Sequence, residues 1–178
     1  MQETAEQYIA RILGNLEGQK PLKIQSATPR KLEQLLKGVP AANLRKKPAP
    51  DKWSVCEIVA HLADAELVAG WRMRAILGAP GTPIQSYDEK AWVQAGRYDK
   101  KDPRVSIAQF RAFREANLGL MKSLKPEQWK LHGVHSERGE ESVERLSQMM
   151  AGHDINHLRQ IEGILSGKRA NPGAKRRK

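Results

Sequence analysis

The sequence predicts an all-α protein built as a four-helix bundle. Its 178 residues carry recurring helical stripes of apolar residues that Pro and Gly separate. Two of the helices have complete start signals, and no segment alternates convincingly between apolar and polar residues as a half-buried strand does. A chain of this length is the usual size of one domain with one continuous core. We therefore expect a single domain over residues 1–167.

The first element is a helix of about four turns in the segment TAEQYIARILGNLEG, residues 4–18. Its apolar residues recur at helical spacing, and Gly18 is placed to end it. The irregular stretch QKPLKIQSA follows. Thr28 can then cap a second, shorter helix with Pro29 at its first position and Gly38 as its stop. This second helix is either separate or a continuation of the first after a break.

The third element has the strongest start signal in the chain. Residues 40–52 contain too many prolines for regular structure, and Trp53 then precedes Ser54, with Glu57 three residues later. Ser54 and Glu57 match a capping box, and Trp53 is placed as its hydrophobic staple. We expect a helix over 54–78 that ends at Gly78.

The second half of the chain predicts two more long helices. Residues 79–105 read as a long crossover holding one short helix around Trp92. Ser106 with Gln109 offers a capping box for a helix over 106–124. A polar loop at 130–141 leads to Ser142 and a final helix that stops at Gly167. The long crossover favours a bundle with one non-sequential connection over a simple up-and-down bundle.

The candidate site is a set of three histidines, His61, His153 and His157. His153 and His157 point within about 40° of each other on the apolar side of the final helix, and His61 lies on the apolar side of the helix over 54–78. A single inward histidine is usually a core residue bonded to a neighbour, but three unpartnered buried imidazoles would cost a few kcal/mol each. One divalent metal would satisfy all three and leave coordination positions open.

The other polar residues near this motif have weaker claims to a role. Asp154 lies about 100° from the ligand direction, so we do not assign it as a general base, and this is not the HEXXH motif. Asp64 and Glu57 are better placed to orient His61 or a water, although a solvated helix flank explains them almost as well. His132 and His135 read as exposed loop residues. Cys56 reads as a buried, unreactive thiol. The catalytic residues stay unassigned.

The formal charge of +11 does not predict a specific nucleic-acid interaction. Six basic residues lie in the segment 168–178, and without them the charge is +5. We expect this segment to be a disordered basic tail. No recognition helix or interleaved aromatic residues accompany the charge. No run is long enough to cross a membrane, and the N-terminus lacks the pattern of a signal peptide, so we expect a cytoplasmic protein.

Two segments together identify a family resemblance. KWSVCEIVAHLADAE, residues 52–66, and HDINHLRQI, residues 153–161, resemble the DinB family, whose metal ligands map onto His61, His153 and His157. The resemblance implies a bundle in up-down-down-up order, often a homodimer, with zinc or nickel bound at one end. It does not imply DNA binding. Members of the family include thiol-dependent S-transferases that use low-molecular-weight thiols, and others are described as metal-dependent hydrolases.

Three functional hypotheses follow. The first is a metal-dependent hydrolase that acts on a small molecule at the three-histidine site. The alternative is a thiol-dependent S-transferase in which the metal binds a low-molecular-weight thiol. A further alternative is a non-catalytic helical binding protein with structural histidines.

Overall fold

The computed structural model describes residues 3–167, and the predicted basic tail at 168–178 lies outside the described residues. The helices are α1 (Ala5–Gly14), α2 (Pro21–Leu36), α3 (Ala41–Arg45), α4 (Val55–Gly78), α5 (Glu89–Ala95), α6 (Pro103–Ser123) and α7 (Val143–Leu165). The strands are β1 (Pro83–Ile84), β2 (His132–His135) and β3 (Gly139–Ser142). The prediction of a mainly helical fold is therefore confirmed.

The four long helices α2, α4, α6 and α7 form a bundle, and its two larger core clusters lie one toward each end. One cluster joins the C-terminal halves of α2 and α7 to the N-terminal halves of α4 and α6; it contains Leu32, Ile58, Leu62, Phe110, Leu158 and Ile161. The other joins the opposite halves and contains Met73, Ile76, Leu118, Met121 and Leu146, with Leu22 packed against them. Hence α2 and α7 run one way while α4 and α6 run the other, which is the predicted up-down-down-up order.

Helix α2 corrects the prediction for residues 20–38. It begins at Pro21, so Thr28 and Pro29 lie inside it instead of starting it. Pro29 has no N–H to donate to the carbonyl of Gln25 four residues earlier. The buried Arg114 donates to that carbonyl instead, with Nη1 2.9 Å from the oxygen. A long-range contact thus satisfies the acceptor that an interior proline leaves free.

Helix α1 is shorter than predicted, because it ends at Gly14 and not at Gly18. A capping box between Thr4 and Gln7 starts it. It packs across α7, where Gly152 lies so close to the carbonyl of Ile12 that a Cβ at this position would overlap it. The bundle's first long helix is therefore α2, and α1 lies outside it against α7.

Helix starts were predicted with mixed success. The capping box of Ser54 and Glu57 on α4 is confirmed, as is Ser142 at the N-cap of α7. The start of α6 at Ser106 is wrong, because Asp102 caps this helix and Pro103 is its first residue. The Asp102 carboxylate accepts a hydrogen bond from the N–H of Arg104 at 2.9 Å. The helix therefore begins about one turn earlier than predicted.

The expectation that the chain has no strand is also wrong. β1 pairs in parallel with β2, and β2 pairs antiparallel with β3, so the crossover is joined to the segment before α7. The strands are two to four residues long and β3 is entirely polar or glycine, which leaves no alternating pattern to read. The predicted short helix around Trp92 is confirmed as α5, and the segment 40–52 contains the short helix α3.

Candidate metal centre

The structure brings His61 of α4 together with His153 and His157 of α7. The Nε2 atom of His153 lies 3.0 Å from the Nε2 atoms of both other histidines. The antiparallel packing of α4 on α7 supplies His61, and one helical turn separates the two α7 residues. The three side chains are buried and bring one ring nitrogen each within 4.8 Å of the others.

Burial holds all three imidazoles in the neutral form. Desolvation lowers the pKa of His61 to about 3, with a further contribution from the neighbouring His157. Desolvation lowers the pKa of His157 to about 4, even though the contact with Gln160 opposes this shift. The pKa of His153 is lowered furthest, again chiefly by burial. Neutral imidazoles offer lone pairs, and these are what a metal ion requires.

The side chain of Gln160 determines the tautomer of His157. Its Oε1 lies 2.9 Å from Nδ1 of His157, and a carbonyl oxygen can only accept, so Nδ1 carries the proton. The Nε2 atom of His157 then presents a lone pair to the other two rings. Such an outer partner orients a metal-ligating histidine in many metal sites.

No arrangement of protons on neutral rings satisfies both short contacts of His153. If His153 Nε2 carries a proton, its single hydrogen can be directed at only one of the two neighbouring Nε2 atoms, and it has no lone pair for a proton from His61. If it carries none, its lone pair opposes that of His157 at 3.0 Å. A cation among the three Nε2 atoms would satisfy them all, so the donor set fits a divalent metal. Within residues 3–167 the cluster consists of these three histidines, and three protein ligands leave coordination positions open.

A cavity of about 410 Å³ reaches this centre at His153. Its wall comes from α1 and the residues before it, α4, α7, the segment from β1 to the start of α5, the end of β2 and the turn between β2 and β3. Val68, Leu146, Met149 and Met150 make part of the wall apolar, and Tyr8, Arg72, Tyr87, Glu89, His135 and Arg138 are among its polar residues. The cavity beside the histidines is large enough to hold a small organic molecule.

The acidic residues proposed to assist His61 are engaged elsewhere. Glu57 caps α4 through Ser54 and pairs with Lys47 at 2.9 Å. Asp64 accepts a hydrogen bond from the hydroxyl of Tyr98 and lies 3.6 Å from the Lys101 ammonium. Neither carboxylate is hydrogen-bonded to His61, so the structure does not support the interpretation that one of them orients this imidazole.

Asp154 belongs to a buried ionic network that the sequence did not reveal. Arg114 of α6 donates to both carboxylate oxygens of Asp154, at 2.6 and 3.0 Å, and to Glu66 of α4 at 2.8 Å. Asn117 completes the network by donating to Glu66 at 2.8 Å. Asp154 therefore faces away from the histidine cluster, in agreement with the helical geometry that excluded it as a base.

His135 corrects the interpretation of the loop before α7. It lies on β2, is only 2% exposed, and lines the cavity, whereas His132 is half-exposed and lies 3.7 Å from Glu140. Its burial depends on strand pairing, for which the sequence carries no clear signal. Cys56 is buried as predicted, and burial raises the pKa of its thiol.

The fold and the site together define a helical bundle with a histidine cluster open to a cavity, and the comparisons assign the family. The family model of the DinB superfamily matches residues 26–161, so the chain belongs to this superfamily. The resemblance read from the two motifs is thereby confirmed.

Relatives agree with this assignment. A Bacillus subtilis protein with the name "Putative metal-dependent hydrolase YfiT" is 25% identical over 80% of this chain and 80% of its own length. A protein of Oceanobacillus iheyensis, also named as a putative metal-dependent hydrolase, is 27% identical over 65% of this chain and 67% of its own. The solved structure of YfiT, described as "a probable metal-dependent hydrolase with an unusual four-helix bundle topology", matches with a TM-score of 0.75 at 25% identity. That match covers 81% of this chain and 83% of YfiT.

Within residues 3–167, no helix is both long enough and apolar enough to cross a membrane.

Proposed function

We propose that this protein is a metal-dependent hydrolase of a small molecule, with one divalent transition metal, zinc or nickel, held by His61, His153 and His157. The observation that carries the proposal is the convergence of three Nε2 atoms that no proton arrangement on neutral rings satisfies. The names of the relatives support the same reaction class.

A bound metal would supply a Lewis acid and would lower the pKa of a coordinated water toward neutrality. The chain's own residues provide the surroundings. Burial raises the pKa of Tyr8 to about 12 and raises that of Tyr87 as well, so both phenols stay protonated and can donate hydrogen bonds in the cavity. Burial also raises the pKa of the Glu89 carboxyl, which favours its holding a proton.

Metal analysis of the purified chain tests the ligand set. Protein prepared without chelators should contain about one zinc or nickel per chain by elemental analysis. His61→Ala, His153→Ala and His157→Ala should each lose most of that metal, whereas His132→Ala, on the half-exposed His132, should retain it. Metal near zero in the parent chain, with no stabilisation on adding zinc or nickel, would instead favour a non-catalytic binding protein.

The same preparation separates hydrolysis from thiol transfer. The metal-loaded chain should hydrolyse some members of a panel of small esters and amides without an added thiol. Turnover that requires a low-molecular-weight thiol would assign the protein as a thiol-dependent S-transferase and remove the hydrolase proposal.

We also propose that the chain forms a homodimer through the outer faces of α4 and α6. Trp71 is 59% exposed and Leu67 48% exposed, and both flank a groove that Phe113 of α6 also lines. A two-fold interface would cover both residues on each protomer. Trp71→Glu should shift the chain to monomer in sedimentation measurements, whereas Val134→Glu, at an exposed position on β2, should leave its mass unchanged.

A further inference from the structure

The wall of the cavity that reaches His153 carries a buried hydrogen-bond donor without a partner among the described residues. His135 is 2% exposed, and its Nδ1 accepts a hydrogen bond from the backbone N–H of Glu137 at 3.1 Å. The proton of the neutral ring therefore lies on Nε2. Nε2 is buried and has no hydrogen-bond partner among residues 3–167. A buried donor of this kind requires an acceptor, and the cavity is where one can bind.

Arg72 lines the same cavity and has no carboxylate partner among the described residues. It is 7% exposed, and its Nη2 donates to the backbone carbonyl of Gln85 at 2.6 Å. The guanidinium carbon lies 5.7 Å from the ring centre of Tyr87. Arg114, the other buried arginine in the described part of the chain, is neutralised by two carboxylates. A buried guanidinium that has no ion-pair partner is suited to bind an anion.

The acidic residues of the cavity do not fill this place. Glu3 pairs with Arg11 at 2.7 Å, and Glu137 is exposed. Glu89 is the remaining carboxyl of the wall, and it forms no ion pair with Arg72. Arg138, the second arginine of the wall, is paired with Glu141 at 2.7 Å. Among the described residues that line the cavity, Arg72 is the arginine that forms no ion pair with a carboxylate.

We propose that Arg72 and His135 bind the anionic end of a small substrate, a carboxylate or a phosphate, whose apolar body lies against Val68, Leu146 and Met149. The guanidinium and the imidazole N–H are donors suited to anionic oxygens. The apolar wall and the volume of about 410 Å³ fit a compact organic acid. This inference rests on the proposed function in one respect, because it places the reacting bond of that acid toward His153.

Calorimetric titration of the metal-loaded, full-length chain tests the chemistry of the ligand. The probes are phenylacetate, phenyl phosphate and benzyl alcohol, which share an aromatic body and differ in the end group. Phenylacetate, phenyl phosphate or both should bind at least tenfold more tightly than benzyl alcohol. The tighter of the two anions identifies the end group that the site prefers, and equal affinity for all three would overturn the proposal.

Variants locate the binding. Arg72→Gln and His135→Phe should each lower the affinity for the preferred anion by about tenfold or more, without lowering the metal content. Arg72→Lys and His135→Gln keep a charge or a donor and should restore part of the affinity. Arg145→Gln is the matched control, because it removes an equal charge from an exposed position on α7.

The outcomes distinguish this inference from the proposed function. Anion affinity that is unchanged in Arg72→Gln and His135→Phe but is lost in His153→Ala would place the anion on the metal; the inference would then fail while the metal site stands. If instead the parent chain binds no metal, anion affinity that depends on Arg72 and His135 would still support the inference.

Discussion

At the scale of single residues, the metal proposal depends on the proton of one imidazole. Gln160 makes His157 donate from Nδ1 and present a lone pair from Nε2. Its position three residues after His157 could be read from the sequence, because residues i and i+3 share a helix face. The role of Gln160 became visible only when Oε1 was found beside Nδ1.

Gln160→Leu should therefore weaken metal binding while the helix persists. Loss of such an outer partner typically costs about 10- to 100-fold in metal affinity. Competition with a chelator of known affinity measures the change. Glu162→Gln, at an exposed position on the same helix, should leave the affinity unchanged. Equal affinities for the parent chain and Gln160→Leu would show that Gln160 does not control the His157 tautomer.

The buried Arg114 is a second residue whose importance comes from its partners. Arg114→Met would leave the carboxylates of Asp154 and Glu66 buried without a counter-ion, and should lower the free energy of unfolding by about 3–5 kcal/mol. Urea denaturation measures this change. Arg159→Met removes an exposed partner of Glu17 and should cost less than about 1 kcal/mol. Similar losses in both variants would contradict a special role for the network.

At the scale of elements, helix α1 depends on one glycine of its neighbour. Gly152 of α7 faces the Ile12 carbonyl without room for a Cβ, and α1 also supplies Tyr8 to the cavity. The packing of α1 on α7 therefore connects the metal-bearing helix to the cavity wall.

Gly152→Ala should destabilise the chain by about 1–3 kcal/mol, because the added methyl group pushes α1 away from α7. The substitution should speed up amide hydrogen exchange more in α1 than in α6. Gly119→Ala is the matched control: it lies inside α6 with open space around it, and should be neutral or stabilising by up to about 1 kcal/mol. Unchanged protection of α1 in Gly152→Ala would contradict this close packing.

At the scale of the whole molecule, the buried histidines link stability to pH when metal is absent. The unfolded chain protonates them near pH 6.5, whereas folding lowers the pKa of His61 to about 3 and of His157 to about 4. The unfolded state binds more protons between these values, so stability is complete above about pH 6.5 and falls as the pH decreases.

The chelator-treated chain should thus lose about 1.4 kcal/mol for each buried imidazole one unit below pH 6.5. Thermal unfolding measured from pH 7.5 to 5 gives this slope. His61→Phe removes one titrating group and should reduce the slope. A melting temperature independent of pH over this range would show that the histidines do not titrate on unfolding.

Local chemistry made the helices and the histidine set predictable. The capping residues Ser54 and Ser142 act on N–H groups three residues away, and the spacing of His153 and His157 is one helical turn, so both signals lie within a few neighbouring residues. The length of the crossover at residues 79–105 and the two motifs of the DinB superfamily can likewise be read from the sequence itself. These features were enough to expect the bundle and to select His61 as the third member of the cluster.

Only the tertiary structure decided the features whose partners are distant in the chain. Helix α2 continues through Pro29 because Arg114 satisfies the carbonyl of Gln25, 89 positions away. His135 is buried because β2 pairs with β1 and β3. These strands are too short to carry a sequence pattern. The sequence by itself determined the long helices α4 and α7 and placed the three histidines on their apolar sides, since capping and helical spacing depend on near neighbours. The cavity and its donors depend on packing between remote segments, which no local pattern encodes.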